Sequence, residues 1–92
     1  MKKAIFLYNP ISGDRSIPDR LDYIIGRFME NGILIQPFRL MENTEDALIN
    51  ILKEGDFEYA VVSGGDGTIN VVVNSMLKNG INMPIGVIPS GT

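Results

Sequence analysis
The chain has 92 residues, 45% hydrophobic and 21% charged, with a formal net charge of −3 and no cysteine, histidine or tryptophan. This globular balance suits one small domain or part of a larger one, and it excludes disulfides, thiolate metal sites and histidine proton transfer. The net charge, with Lys2-Lys3 the only adjacent basic pair, disfavours nucleic acid as a partner and leaves carboxylates, hydroxyls, backbone amides or a bound ion to do any chemistry.

Lys2-Lys3 followed by Ala4-Ile5-Phe6-Leu7-Tyr8 has the outline of a signal peptide's start. Asn9-Pro10 breaks that apolar run after five residues, far short of the about 20 a spanning helix needs. It reads as a first buried strand. A turn follows at Asn9-Pro10 and Ser12-Gly13-Asp14. Ser16 with Asp19 then gives a capping box, and Pro18 falls in the first turn of a helix. That helix carries Leu21, Ile24, Ile25, Phe28 and Met29 at helical spacing, and Asn31-Gly32 stops it. Ile33 to Ile35 is a second strand. A second helix carries Ala47, Leu48, Ile51 and Leu52, with Asn43 or Thr44 as N-cap and Gly55 near its end. Tyr59 to Val62 is a third strand. A third helix begins near Thr68, carries Ile69, Val72, Val73, Met76 and Leu77, and is followed by Asn79-Gly80. Ile85 to Ile88 is the fourth strand. All three helical faces are read as core.

Continuous apolar runs suit strands covered on both faces, and strands alternating with helices predict an α/β fold. The expected architecture is a three-layer α/β/α sandwich on a parallel sheet. The chain stops at Pro89-Ser90-Gly91-Thr92 with no helix to cover the last strand, so residues 1–92 are expected to be one part of a longer protein. The uncovered edge at Ile85–Ile88 makes a homodimer an expectation, which sedimentation as a monomer overturns.

In such sheets ligands bind beyond the carboxyl ends of the strands, where strand order reverses. If strands one and three are neighbours, the order is 2-1-3-4 and three loops meet there: Asn9 to Gly13, Gly64 to Thr68, and Pro89 to Thr92. The middle loop has glycine at Gly64, Gly65 and Gly67, between a buried strand and a helix. Bare amides at a helix N-terminus form an anion site without lysine. Thr68 can cap the helix or give its hydroxyl to a phosphate oxygen. Asp66 repels a naked phosphate, so its role runs through Mg²⁺, held directly or through water, or through orienting an attacking hydroxyl. The plain alternative is a glycine-rich turn with Asp66 as helix N-cap. No Gly-x-x-x-x-Gly-Lys-Ser/Thr is present, and Asn70 stands where a dinucleotide fingerprint wants glycine or alanine. In the first loop Asn9, Ser12, Gly13 and Arg15 could meet a ligand, or make a turn with a solvated arginine.

Together the loops Asn9-Pro10-x-Ser12-Gly13, Gly64-Gly65-Asp66-Gly67-Thr68-x-Asn70 and Pro89-x-Gly91-Thr92 resemble the diacylglycerol kinase catalytic domain, including its bacterial lipid kinase and sphingosine kinase relatives. The resemblance covers nearly all of this chain but only the first third or so of such a protein. It implies ATP- and Mg²⁺-dependent transfer of the γ-phosphate to a lipid hydroxyl. This part would hold ATP through Asn9, Ser12, Gly13, Arg15, Gly64, Gly65, Asp66, Gly67, Thr68, Asn70, Gly91 and Thr92, with Asp66 as the catalytic and Mg²⁺-linked residue. It implies a second, mostly β domain with the lipid site and the base, so 1–92 alone is expected to be inactive. The implied setting is cytoplasmic, with peripheral membrane contact by the full-length protein. Val71 departs from the family, which has an acid there. Near the end of strand two many relatives place a nucleotide-binding threonine; here the stretch is Arg39-Leu40-Met41, and no ligand role is carried onto it. An NAD kinase of the same broad fold and a non-catalytic nucleotide-binding module are the alternatives.

Overall fold
The computed structural model describes residues 1–10 and 17–89. Along the chain it runs β1 (Lys2–Tyr8), α1 (Ile17–Glu30), β2 (Ile33–Arg39), α2 (Glu45–Glu54), β3 (Tyr59–Gly64), α3 (Asp66–Lys78) and β4 (Ile85–Pro89). The four strands form one sheet in the order β2-β1-β3-β4, every pairing parallel. This is the α/β architecture and the strand order expected from the sequence.

Alternation along the central strands sorts the core into two halves. Ile5, Leu7, Ala60 and Val62 pack against Leu48, Ile49 and Leu52 of α2 and Val72 and Met76 of α3. Phe6 and Val61 point to the opposite face, where they meet Ile24 of α1 and Ile35 of β2. Helices therefore cover both faces of the sheet, α1 on one and α2 with α3 on the other. Right-handed crossovers require this: the chain moves outward from β1 to β2, then reverses past β1 to β3 and on to β4, so α1 falls on one side and α2 and α3 on the other.

The central strands β1 and β3 carry residues 0–4% exposed through Ala4–Leu7 and Ala60–Val62. On the edges of the described sheet the apolar run is less well covered, and Leu34 on β2 and Val87 on β4 are exposed. β2 continues four residues beyond Ile35, through Gln36-Pro37-Phe38-Arg39. The mixed polarity there hides the strand locally, and Pro37 is tolerated because, among the described residues, β2 pairs on one side alone. The backbone of Leu40 extends the ladder by donating to the Tyr8 carbonyl at 2.7 Å.

The glycine stops behave as the sequence indicates. Gly32 (φ 79°) and Gly80 (φ 68°) both adopt the left-handed conformation just past α1 and α3. After α3, Ile81 N donates to Met76 O at 2.9 Å and Gly80 N to Leu77 O at 3.2 Å, closing the last turn. Pro18 lies in the first turn of α1 as expected, while Ser16 and the Asp19 side chain lie outside what is described. Periodicity overreached at three positions: Ala47 is exposed, with Ile49 buried instead, and Met29 and Leu77 are 44% and 72% exposed.

At the amino edge of the sheet, Lys3 Nζ donates to the Gly55 carbonyl at 2.7 Å and lies 5.0 Å from the Phe57 ring centroid. The ammonium thus sits at the negative end of α2 and over an aromatic face. Replacing Lys3 with methionine keeps most of the stem but removes both interactions. The expected loss is about 1 kcal/mol, read as a fall of about 4–8 °C in Tm by circular dichroism.

Candidate functional site
Because the strands are parallel, their carboxyl ends share one edge with the N-termini of α2 and α3. Tyr8 is level with Ser63, and Ser63 with Ile88. Asn9, Gly64 and Pro89 therefore leave the sheet side by side, and strand order reverses between β1 and β3 at this point. The described starts of the three loops singled out from the sequence, Asn9-Pro10, Gly64 and Pro89, thus lie side by side.

The Gly64–Thr68 turn is built on close packing. A Cβ on Gly64 would lie 2.7 Å from Thr68 Cβ and 2.9 Å from its Cγ2. The first turn of α3 is therefore seated on the end of β3 at a distance that glycine alone permits. Gly65 is extended (φ −85°, ψ −176°) and occupies the N-cap, bringing no side chain to satisfy the first amides of α3. A Cβ on Gly65 or on Gly67 would meet nothing within 4 Å. Both glycines border open space, so a ligand can approach the backbone there. An uncapped helix N-terminus flanked by bare backbone favours an anion.

Asp66 is the first residue of α3, not its cap, and the helix begins two residues earlier than Thr68. The extended Gly65 already supplies the non-helical cap geometry, so the helix can start one residue later with an acid in its favourable first turn. Asp66 is exposed. Among the described residues no group of three or more Asp, Glu, His or Cys side chains could hold a metal ion. A lone carboxylate beside an anion site suits Mg²⁺, which keeps its waters and completes its shell with phosphate oxygens. Asn70, four residues on, shares the Asp66 stripe of α3 and is also exposed.

Beside this turn, on the face covered by α2 and α3, lies an open groove of about 650 Å³. Asn9, Gly67 and Thr68 line its near end, the connection from β2 to α2 lines one side through Leu40, Met41 and Thr44, and Val71 and Val72 of α3 line the other. The connection is tightly organised. Asn43 takes φ 62°, a left-handed conformation that asparagine tolerates. Thr44 Oγ1 donates to the Met41 carbonyl at 2.7 Å and accepts from the Met41 amide at 3.3 Å. The hydroxyl is thus used inside the turn and makes no cap bond to α2, although Thr44 holds the N-cap position.

Of the residues singled out in advance, the structure brings Asn9, Gly67 and Thr68 together in the groove, with Gly64 beneath Thr68 and Gly65 and Asp66 at the turn. Asn70, Gly65 and Asp66 do not line the groove. Ser12, Gly13, Arg15, Gly91 and Thr92 lie outside the described residues. Leu40 and Met41, given no role from the sequence, line the groove; their one local signal was an apolar pair just past a strand, before turn-forming Asn43. Ser63 was also missed as more than a strand end. It is 2% exposed, and its Oγ has no hydrogen-bond partner among the described residues. Strand alternation puts it on the side of Val61, under the turn from the face opposite the groove.

A family model described as the diacylglycerol kinase catalytic domain matches residues 3–92. The diacylglycerol kinase of Staphylococcus carnosus (strain TM300) is 33% identical over 93 residues, covering 99% of this chain and 30% of that protein. That of Bacillus subtilis (strain 168) is 34% identical over 95 residues, covering 100% of this chain and 31% of that protein. That of Staphylococcus saprophyticus is 28% identical, with 99% of this chain and 30% of that protein covered. The chain therefore spans about a third of the length of these curated relatives.

Proposed function
The chain belongs to the diacylglycerol kinase catalytic domain family, and from that premise we propose that it supplies the ATP-binding part of a lipid kinase. The reaction is transfer of the γ-phosphoryl group of ATP to a hydroxyl of diacylglycerol or a related lipid. One observation carries the reading: the Gly64–Thr68 turn sets the uncapped N-terminus of α3 at the strand-order switch point, with open space at Gly65 and Gly67. The amides of this turn and the Thr68 hydroxyl would hold phosphate oxygens, with Asn9 completing the cleft from the next strand. Ser12, Gly13, Arg15, Asn70, Gly91 and Thr92 are assigned to the nucleotide on the sequence resemblance alone.

Asp66 would carry the Mg²⁺ that accompanies the triphosphate, directly or through water. Bound there, the ion supplies charge neutralisation for phosphoryl transfer. Aligned N–H groups stabilise the phosphate charge without having to reorganise, because the close packing at Gly64 fixes the turn beforehand. Among the described residues no helix is long and apolar enough to cross a membrane. The lipid is proposed to be met at a membrane surface, from the cytoplasmic side.

Asp66→Asn tests the metal role. Calorimetry on the native chain should show ATP–Mg²⁺ bound more tightly than ATP alone. In the variant that advantage should fall by about tenfold or more, equivalent to about 1.4 kcal/mol. Its melting temperature should change little, since an exposed first-turn acid contributes about 0.3–1 kcal/mol. Equal Mg²⁺ dependence in both forms removes Asp66 from the site.

A further inference from the structure
The sequence holds two Asn-Gly pairs, Asn31-Gly32 and Asn79-Gly80, and each closes a helix. We propose that both are sites of spontaneous modification gated by the fold. The folded helix ends hold back conversion of the asparagine to aspartate or isoaspartate, and the product, once formed, leaves the helix without its cap.

The chemistry is intramolecular. The glycine nitrogen attacks the asparagine Cγ. The N–Cγ bond forms, the Cγ–Nδ2 bond breaks, and ammonia leaves carrying the amide proton. Water then opens the cyclic imide at either carbonyl, giving aspartate or isoaspartate. Water is the sole co-reactant, and nothing is oxidised or reduced. Glycine is the most permissive residue to follow asparagine, because no side chain obstructs its nitrogen.

The folded chain opposes ring closure in three ways. First, the attacking nitrogen is engaged: Gly32 N donates to Met29 O at 3.0 Å, and Gly80 N to Leu77 O at 3.2 Å. Second, the leaving group is engaged. Asn31 Nδ2 donates to Arg27 O at 2.8 Å, and Asn79 Nδ2 to Ser75 O at 2.7 Å. Both side chains are thus held back along their helices, away from the glycine that follows. Third, the backbone is turned away. Closure needs the next nitrogen eclipsed with Cβ, and the Asn79 ψ of 13° is far from that arrangement. Opening of the last helical turn removes these restraints together, so local opening sets the rate.

The product cannot restore the cap. A carboxylate only accepts hydrogen bonds. It would face the carbonyl that the amide had satisfied, at the negative end of the helix. Isoaspartate also adds a carbon to the main chain. At the first pair this displaces Gly32, whose carbonyl accepts from Lys2 N at 3.1 Å and which leads directly into β2. At the second it displaces Ile81, whose amide donates to Met76 O at 2.9 Å and whose side chain packs against the core.

Peptide mass mapping of the 92-residue chain, aged in mildly alkaline buffer with and without guanidinium chloride, tests the gate. Both pairs should convert at least about tenfold more slowly in the folded chain. Hydrogen exchange at the Gly32 and Gly80 amides should be slowed to a similar degree, since one opening frees the nitrogen for both reactions. Equal conversion in the two states overturns the proposal. Asn31→Asp and Asn79→Asp supply the product charge directly, and each should lower Tm by about 4–8 °C. Asn74→Asp makes the same change of charge at an exposed position within α3, and should move Tm by no more than about half as much. If the two cap variants melt like Asn74→Asp, the side-chain amides do not hold the helix ends, and the claimed consequence of modification is refuted.

Discussion
Replacing Gly64 with alanine is expected to weaken ATP–Mg²⁺ binding by about a hundredfold and to destabilise the fold by about 1–3 kcal/mol. The new Cβ would be placed 2.7 Å from Thr68 Cβ. A branched carbon attached to the helix backbone cannot swing aside as the end of a long side chain does. The first turn of α3 must therefore lift off β3, carrying the amides and hydroxyl assigned to phosphate with it. Gly65→Ala is the matched comparison. Its Cβ would meet nothing within 4 Å and its φ of −85° suits any residue. Stability should change by less than about 1 kcal/mol, while binding weakens because the methyl occupies the approach to the backbone. Equilibrium unfolding and calorimetry on the two variants separate packing from access. Wild-type affinity in Gly64→Ala would show that the seating of α3 on β3 is irrelevant to the ligand.

The largest stability effect is expected at Phe6. Its side chain is fully buried and is the bulkiest of the fully buried set. It packs with Ile24, Ile35 and Val61 beneath α1, and its ring stacks on Tyr8 at a centroid distance of 5.6 Å. Phe6→Ala removes the centre of that half of the core, at a cost of about 3–5 kcal/mol. Domains of this size have roughly 5–15 kcal/mol in total, so the variant is expected to be near unfolding at 37 °C. Its Tm should fall by at least about 12 °C. Leu77→Ala is the counterpart on α3. Leu77 is 72% exposed, so its loss should move stability by no more than about 0.5 kcal/mol. A large effect at Leu77 would mean that the face is covered in solution.

Much of this molecule was legible in the chain. Apolar runs at Ala4–Tyr8 and Tyr59–Val62 named the two central strands, because a strand covered on both faces has no polar side to interrupt it. Asn31-Gly32 and Asn79-Gly80 marked the helix ends, because a left-handed residue is cheap only where no Cβ obstructs it. The family was written in the three small-residue loops, since a backbone that must come near a ligand leaves few residue choices. Edges were harder. Gln36–Arg39 hid the second half of β2, and Leu77, Met29 and Ala47 looked like core on periodicity alone.

Tertiary structure decided the rest. The sequence contained Gly64, but the reason it must be glycine is the position of Thr68, four residues later, folded back over the strand end. It contained Met41 and Val71 thirty positions apart, and no local pattern relates them. They border one groove because β2 lies on one side of β1 and β3 on the other, which brings the start of α2 beside the start of α3. Periodicity records which residues turn together along one element; which elements meet is fixed by how the crossovers pack, and the shape of the cleft is a property of that meeting.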